Sequence, residues 1–173
     1  MPLVAYVIEG PNMNADKNVM LYGHLDKQPY GDGWNSDPTT PVIKDGCLYG
    51  RGGADDGYAP FSAMLAIKAA QEQGARMPRI VMVLEAEEES GSPHLIELLK
   101  MAADSIGNPD VCLCMDSGAF NYNNMWLVSS LRGICVLDLT IELGKDGYHS
   151  GETGGIVPET FRILRVLLDR LDN

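Results

Sequence analysis

Three histidines and several carboxylates set among glycines are the residues of this chain that could do chemistry. His24 stands in Gly23-His24-Leu25-Asp26, just after an apolar run that reads as a strand. A strand end holds a side chain rigidly at a sheet rim. Asp26 is placed to accept the second ring N–H and so fix the tautomer of a metal-binding imidazole. A surface-turn histidine has the same local pattern, and the pair alone does not separate the two readings. Asp55 and Asp56 lie in Gly50-Arg51-Gly52-Gly53-Ala54-Asp55-Asp56-Gly57, ahead of an apolar helical run. Asp56 could simply cap that helix, which leaves Asp55 and the glycines unexplained. Glycines permit close approach to a ligand, and a carboxylate has two oxygens with which to bridge two cations.

Glu87-Glu88-Glu89 follow a predicted strand and meet Ser90-Gly91-Ser92. A run of glutamates is commonly a solvated helix face, but here it sits at the rim of a sheet. Adjacent glutamates can divide the work, one binding metal and its neighbour acting as general base. Asp116 ends another short apolar strand and precedes Ser117-Gly118, where a plain turn residue would also fit. His24, Asp55, Glu89 and Asp116 thus all fall at predicted strand ends or in the loop before a helix. Acids gathered at one sheet edge repel one another unless cations compensate them. One imidazole with carboxylates suits zinc, manganese or cobalt, zinc being commonest where histidine is present. The chain has no glycine-rich phosphate loop, no Gly-x-Ser-x-Gly elbow and no Cys/His nucleophile pair.

The elements that must position these groups alternate between strand and helix. Pro2 to Glu9 and Asn18 to Tyr22 read as strands joined by a Gly10-Pro11-Asn12 turn. A long loop from Lys27 to Pro41 leads to a hairpin, Val42 to Tyr49, around Asp45-Gly46. Tyr58 to Gln73 reads as a helix that is apolar almost all round (Phe61, Met64, Leu65, Ile67), which predicts burial against a sheet. Arg79 to Ala86 is a predicted strand, Pro93 to Ala103 a helix and Val111 to Met115 a strand. This order predicts an α/β layer structure with ligands at strand ends. Two further strands are expected in Trp126 to Leu143, then a loop from Gly144 to Val157. A helix carrying Phe161, Leu164, Leu168 and Leu171 closes the chain. A domain boundary is expected near Ser130 to Arg132, giving domains 1–131 and 132–173.

Composition narrows the function classes. The 173 residues are 45% hydrophobic and 21% charged, a globular mixture. With 13 basic and 24 acidic residues the formal charge is −11, which argues against nucleic-acid or anionic-membrane partners. The apolar stretch Leu3 to Ile8 is far too short to span a bilayer. Cys47, Cys112, Cys114 and Cys135 lack zinc-finger spacing and read as buried free thiols in a reducing cytoplasm.

Four ordered motifs then carry a resemblance: Leu21 to Pro29 (LYGHLDKQP), Tyr49 to Tyr58 (YGRGGADDGY), Glu88 to Ser92 (EESGS) and Met115 to Gly118 (MDSG). They resemble the dizinc peptidases related to carnosinase, aminoacylase and succinyl-diaminopimelate desuccinylase, and most of all the cytosolic dipeptidase branch. The resemblance implies a three-layer catalytic sheet followed by the start of an α+β lid or dimerisation domain. It implies that His24 ligates one of two divalent cations, zinc most commonly, with Asp26 orienting it. Asp55 would bridge both cations through a segment whose Asp55–Asp56 peptide is cis. Glu88 would be the general base, Glu89 a ligand of one cation, and Asp116 a ligand of the cation that His24 binds. His149, in Tyr148-His149-Ser150-Gly151, resembles the lid histidine that reaches a neighbouring subunit's site and helps polarise the scissile carbonyl, a core or surface histidine being the lesser alternative. His94 matches no such position and reads as helix surface.

The implied reaction is hydrolysis of a dipeptide or acyl-amino acid by a metal-activated water. The pattern also departs from the family. A further metal-ligand histidine is expected beyond the lid, and no histidine follows His149 here. The chain is therefore expected to be a fragment with weakened metal binding and little turnover by itself. It would pair as a homodimer through the lid, or associate with a complementary fragment. A non-catalytic metal-binding or interaction piece is the other reading.

Overall fold

The computed structural model describes residues 3–9 and 13–172. Six strands and five helices occur among them: β1 (Leu3–Ile8), β2 (Met13–His24), β3 (Val42–Lys44), β4 (Cys47–Tyr49), α1 (Tyr58–Glu72), β5 (Met77–Glu85), α2 (Leu95–Met101), α3 (Ala103–Ile106), β6 (Val111–Cys114), α4 (Ser150–Thr153) and α5 (Thr160–Asp172). The Gly10-Pro11-Asn12 turn lies outside the described residues. The structure divides into two compact units at Leu127/Val128.

In the first unit four strands form a mixed sheet in the order β1-β5-β2-β6. β1 runs antiparallel to β5, while β2 is parallel to both β5 and β6. Parallel neighbours need a crossover, and α1 lies in the one that carries the chain from β2 to β5. The central strand β5 is buried from Ile80 through Glu85, which explains its unbroken apolar run. Its even residues Ile80, Met82 and Leu84 pack with Leu21, Ala59 and Ala63 on the α1 side. Its odd residues Val81 and Val83 pack with Ile106 and Leu99 on the other. Helices thus cover both faces, an α/β architecture of three layers. β3 and β4 form a separate two-stranded ribbon around Asp45-Gly46.

Gly23 sets how closely α1 approaches. A Cβ there would stand 2.6 Å from Ala59 Cβ and 2.7 Å from Asp56 Oδ2. Only hydrogen at this position lets the helix start sit directly over the end of β2.

Several expectations are corrected. The helix α1 buries only Ala59 and Ala63, while Phe61 (70%) and Leu65 (70%) face solvent. The sheet covers one stripe of it, with Ile67 packed at its margin, and Phe61, Met64 and Leu65 lie mostly exposed outside that stripe. The predicted helix from Pro93 to Ala103 is two shorter ones, α2 and α3. Residues 126–143 form no strand, and Leu131, Ile134 and Val136 there are exposed. An isolated pair of strands is marginal without a further layer to pack on. The loop expected from Gly144 to Val157 contains the short α4. The four cysteines are free, as expected, but exposed rather than buried. Cys112 and Cys114 lie on edge strand β6, Cys47 lies on the two-stranded ribbon, and Cys135 lies in the strandless segment.

Candidate metal centre

The carboxyl ends of the parallel strands meet at one rim. β2 ends at His24, opposite Glu85 at the end of β5, and β6 leads through Met115 to Asp116. Backbone hydrogen bonds carry the sheet one step past the strands, from Leu25 N to Glu85 O at 2.7 Å and from Met115 N to Tyr22 O at 2.8 Å. Rigid strand ends therefore fix both His24 and Asp116.

The His24 ring is wholly buried. Its Nδ1 lies 2.9 Å from the backbone carbonyl of Asp26. A carbonyl only accepts, so Nδ1 carries a proton and donates it, leaving Nε2 to face the acids. Nε2 lies 3.0 Å from Asp55 Oδ1 and 3.9 Å from both Glu88 Oε2 and Asp116 Oδ2. One ligand atom from each of His24, Asp55 and Asp116 falls within 4.8 Å of the others. An imidazole nitrogen and two carboxylate oxygens converging on one point fit a divalent cation such as zinc by donor type and spacing. Burial alone would favour neutral His24, but its hydrogen bonds to Asp55 and the Asp26 carbonyl, with the charges of Asp116 and Glu88, outweigh it and raise its pKa.

Asp56 plays a different part from its neighbour. The capping position ahead of α1 is Gly57, which has no side chain to cap with, so Asp56 is not the capping residue. Instead Asp56 is fully buried and its Oδ2 accepts the backbone N–H of His24 at 3.1 Å. Burial pushes its carboxyl pKa up, against that hydrogen bond. The Asp55–Asp56 peptide is cis, as the resemblance implies, and Asp55 faces the ring while Asp56 holds the strand.

Glu88 and Glu89 open a single 3-10 turn, Glu88–Ser90, closed by Gly91 in the left-handed region (φ 86°). Burial first, then the charges of Asp116, Glu89 and Asp26, push the Glu88 carboxyl up, while His24 opposes them. Such a shift brings a carboxylate towards the range useful to a general base. Glu89 stands apart from the His24–Asp55–Asp116 group: its Oε2 accepts from Gln28 Nε2 at 2.5 Å, and its Oε1 is buried without a partner.

The Asp26 carboxylate lies 3.4 Å from His24 Nδ1 and spends its hydrogen bonds elsewhere. Oδ1 accepts the backbone N–H of Glu88 at 3.2 Å and Oδ2 that of Glu89 at 2.9 Å. The ring is oriented by the Asp26 main chain instead. The sequence reading missed this tie, as it missed Gln28. It also missed the half-buried pair in which Tyr22 donates to the buried Glu85 Oε2 at 2.5 Å. Period-two alternation puts Tyr22 and Glu85 on one sheet face and could have suggested that pair. His94 faces Glu87 at 2.8 Å on the surface, in line with its reading as helix surface. His149 belongs to the second unit, where its Nδ1 accepts from Gly151 N at 3.1 Å and caps α4.

Residues 20–149 match peptidase family M20/M25/M40. The chain belongs to this family. It is 33% identical to the Cys-Gly metallodipeptidase dug1 of Schizosaccharomyces pombe, over 92% of this chain and 35% of that protein. It is also 33% identical to the beta-Ala-His dipeptidase of Rattus norvegicus, over 89% of this chain and 32% of that one. Among solved structures, human carnosine dipeptidase 1 superimposes with a TM-score of 0.57 at 30% identity, covering 67% of this chain and 25% of its own. The family member Sso-CP2 from Sulfolobus solfataricus, a metallo-carboxypeptidase, gives a TM-score of 0.60 at 25% identity, over 68% and 26% of the two chains. The chain spans about a third of the length of the curated relatives it matches. Relatives named as metallopeptidases imply divalent cations in the family, in keeping with the donor set around His24. No helix among the described residues is long and apolar enough to cross a membrane.

Proposed function

We propose that this chain carries half of an amide-hydrolysing centre, acting on a dipeptide or acyl-amino acid in the manner of the metallodipeptidases it resembles. The observation that carries the reading is the convergence of His24 Nε2, Asp55 and Asp116, with Glu88 Oε2 3.9 Å from the same nitrogen. His24, Asp55 and Asp116 would hold one cation, and Asp55 with Glu89 a second, zinc being the metal the donors suit best. Cations held there would supply a Lewis acid and acidify the attacking water. Glu88 would accept the proton of the attacking water and return it to the leaving amine. Burial and neighbouring acids equip Glu88 for this by raising its proton affinity. Asp26 keeps Glu88 in place through its backbone N–H. His149 is assigned to polarising the scissile carbonyl from the lid of a partner subunit. A cleft of about 570 Å³, lined by Lys27, Tyr30, Tyr49, Tyr58 and Phe61, has the size for a small peptide.

The test is a dipeptide panel with zinc or manganese, on the 173-residue chain and on a longer protein that contains it. The longer protein should turn over, and Glu88→Gln should abolish turnover while cation binding persists. The isolated chain should show little activity. Turnover that survives Glu88→Gln would defeat the assignment of the base. A second reading, that the chain works by association, is favoured by the exposed Phe61 and Leu65 on α1. Its size-exclusion mass should then rise with a complementary chain.

A further inference from the structure

We infer that Gln28 is a positioning residue that sets how Glu89 meets a cation. The inference rests on the metal-centre reading above and extends it to a residue outside the ligand set.

Glu89 is gripped at two levels. Its backbone N–H is tied to Asp26 Oδ2 at 2.9 Å, and its carboxylate tip receives Gln28 Nε2 on Oε2 at 2.5 Å. Asp26 and Gln28 are two residues apart in the same segment, so one short stretch fixes both ends of the side chain. The other carboxylate oxygen, Oε1, is buried with no hydrogen-bond partner. A buried anionic oxygen without a donor is costly unless a cation meets it. Gln28 therefore leaves Glu89 a single oxygen to offer and directs it away from solvent.

The residue type matters. A lysine at this position would also donate, but its positive charge would neutralise Glu89 and compete with a metal ion. The neutral amide orients the carboxylate and leaves its full charge for the cation. Glu89 is not among the donors converging with His24, Asp55 and Asp116. Gln28 should therefore act on a second cation and not on the first. The His24 site needs no help from Gln28, because strand ends hold His24 and Asp116.

Zinc titration of the full 173-residue chain by calorimetry, without any activity readout, tests this. The wild type should take two unequal equivalents. Gln28→Met, similar in shape but without a donor, should leave the first equivalent unchanged and weaken the second by about 10–100-fold, the usual effect of losing an outer hydrogen bond to a ligand. Gln28→Lys should weaken the second at least as much, which a merely structural donor would not do. Gln28 is exposed and Glu89 keeps its backbone tie to Asp26, so the metal-free melting midpoint should shift only slightly in either variant. A second equivalent untouched by Gln28→Met, a wild type that takes only one equivalent, or rescue by Gln28→Lys would overturn the role of Gln28 while the first site stands. Parallel loss of both equivalents with a lowered melting midpoint would overturn it as well. Absence of any zinc binding would overturn the metal-centre reading itself.

Discussion

The carboxylate of Asp26 accepts the backbone N–H of Glu89 at 2.9 Å. Its second oxygen accepts the N–H of Glu88, and its backbone carbonyl accepts the hydrogen bond from His24 Nδ1. Asp26 thus links the end of β2 to the turn after β5, holding Glu88, Glu89 and His24 in one frame. The link is made by main-chain donors, so it survives changes in the glutamate side chains.

Asp26→Ala should loosen that turn. Hydrogen bonds to a charged acceptor are worth about 1.5–3 kcal/mol each, and relief of repulsion among the acids offsets part of the loss. A net destabilisation of about 1–2 kcal/mol is expected from the same balance. Asp26→Asn, which keeps one acceptor oxygen, should lose about half of it. Urea denaturation of the two variants checks the ranking. Equal stability of all three proteins would refute the link.

Zinc should stabilise the chain and a chelator should reverse the effect. At a free concentration about 100 times the dissociation constant, the gain is about 2.7 kcal/mol. His24→Ala and Asp116→Asn should each remove the share that belongs to the first cation. His94→Ala should not, because His94 pairs with Glu87 on the surface. Thermal melts with and without zinc decide this, and an undiminished shift in His24→Ala would place the cation elsewhere.

Gly23→Ala should damage fold and site together. The added methyl would press on Ala59 and on the Asp56 oxygen that holds His24. Overpacking of this kind costs about 1–3 kcal/mol. The variant should show a lower unfolding midpoint and weaker zinc binding, whereas Gly118→Ala, with open space around it, should show neither.

The Asp110 carboxylate accepts Asn18 N at 2.8 Å and Lys17 Nζ at 3.1 Å. The first of these and then the second hold its pKa below the usual carboxylate value. A pKa lower in the folded than in the unfolded chain contributes stability that is full above the unfolded value, about 3.9. That contribution fades as pH falls through the folded value. Asp110→Asn should therefore be less stable than wild type at pH 7, with the difference closing below about pH 4. Denaturation curves at pH 7 and pH 3 measure it, and a constant difference would show that ionisation plays no part.

Much of the candidate site was legible in the chain because its residues sit where local pattern is strongest. His24 and Asp116 follow apolar strands, and Asp55 lies in a glycine-rich turn that neither strand nor helix explains. What escaped were contacts between residues far apart in sequence. The Asp26–Glu89 tie joins positions 63 apart and the Gln28–Glu89 bond positions 61 apart. Nothing in the types Asp, Gln and Glu announces which of them pair.

By itself, the order of apolar runs, glycines and acids determined an α/β layer with acids at its rim, because period and turn chemistry are local properties. Only the tertiary structure decided that β5 lies between β1 and β2. It also decided that one stripe of α1, and not its whole surface, is covered, and that residues 126–143 form no strand. Burial and strand pairing need a partner surface, and a partner is a property of the folded arrangement. The same reason divides the two aspartates of the Asp55–Asp56 pair. Adjacent and alike in sequence, they differ because one meets the ring of His24 and the other its backbone.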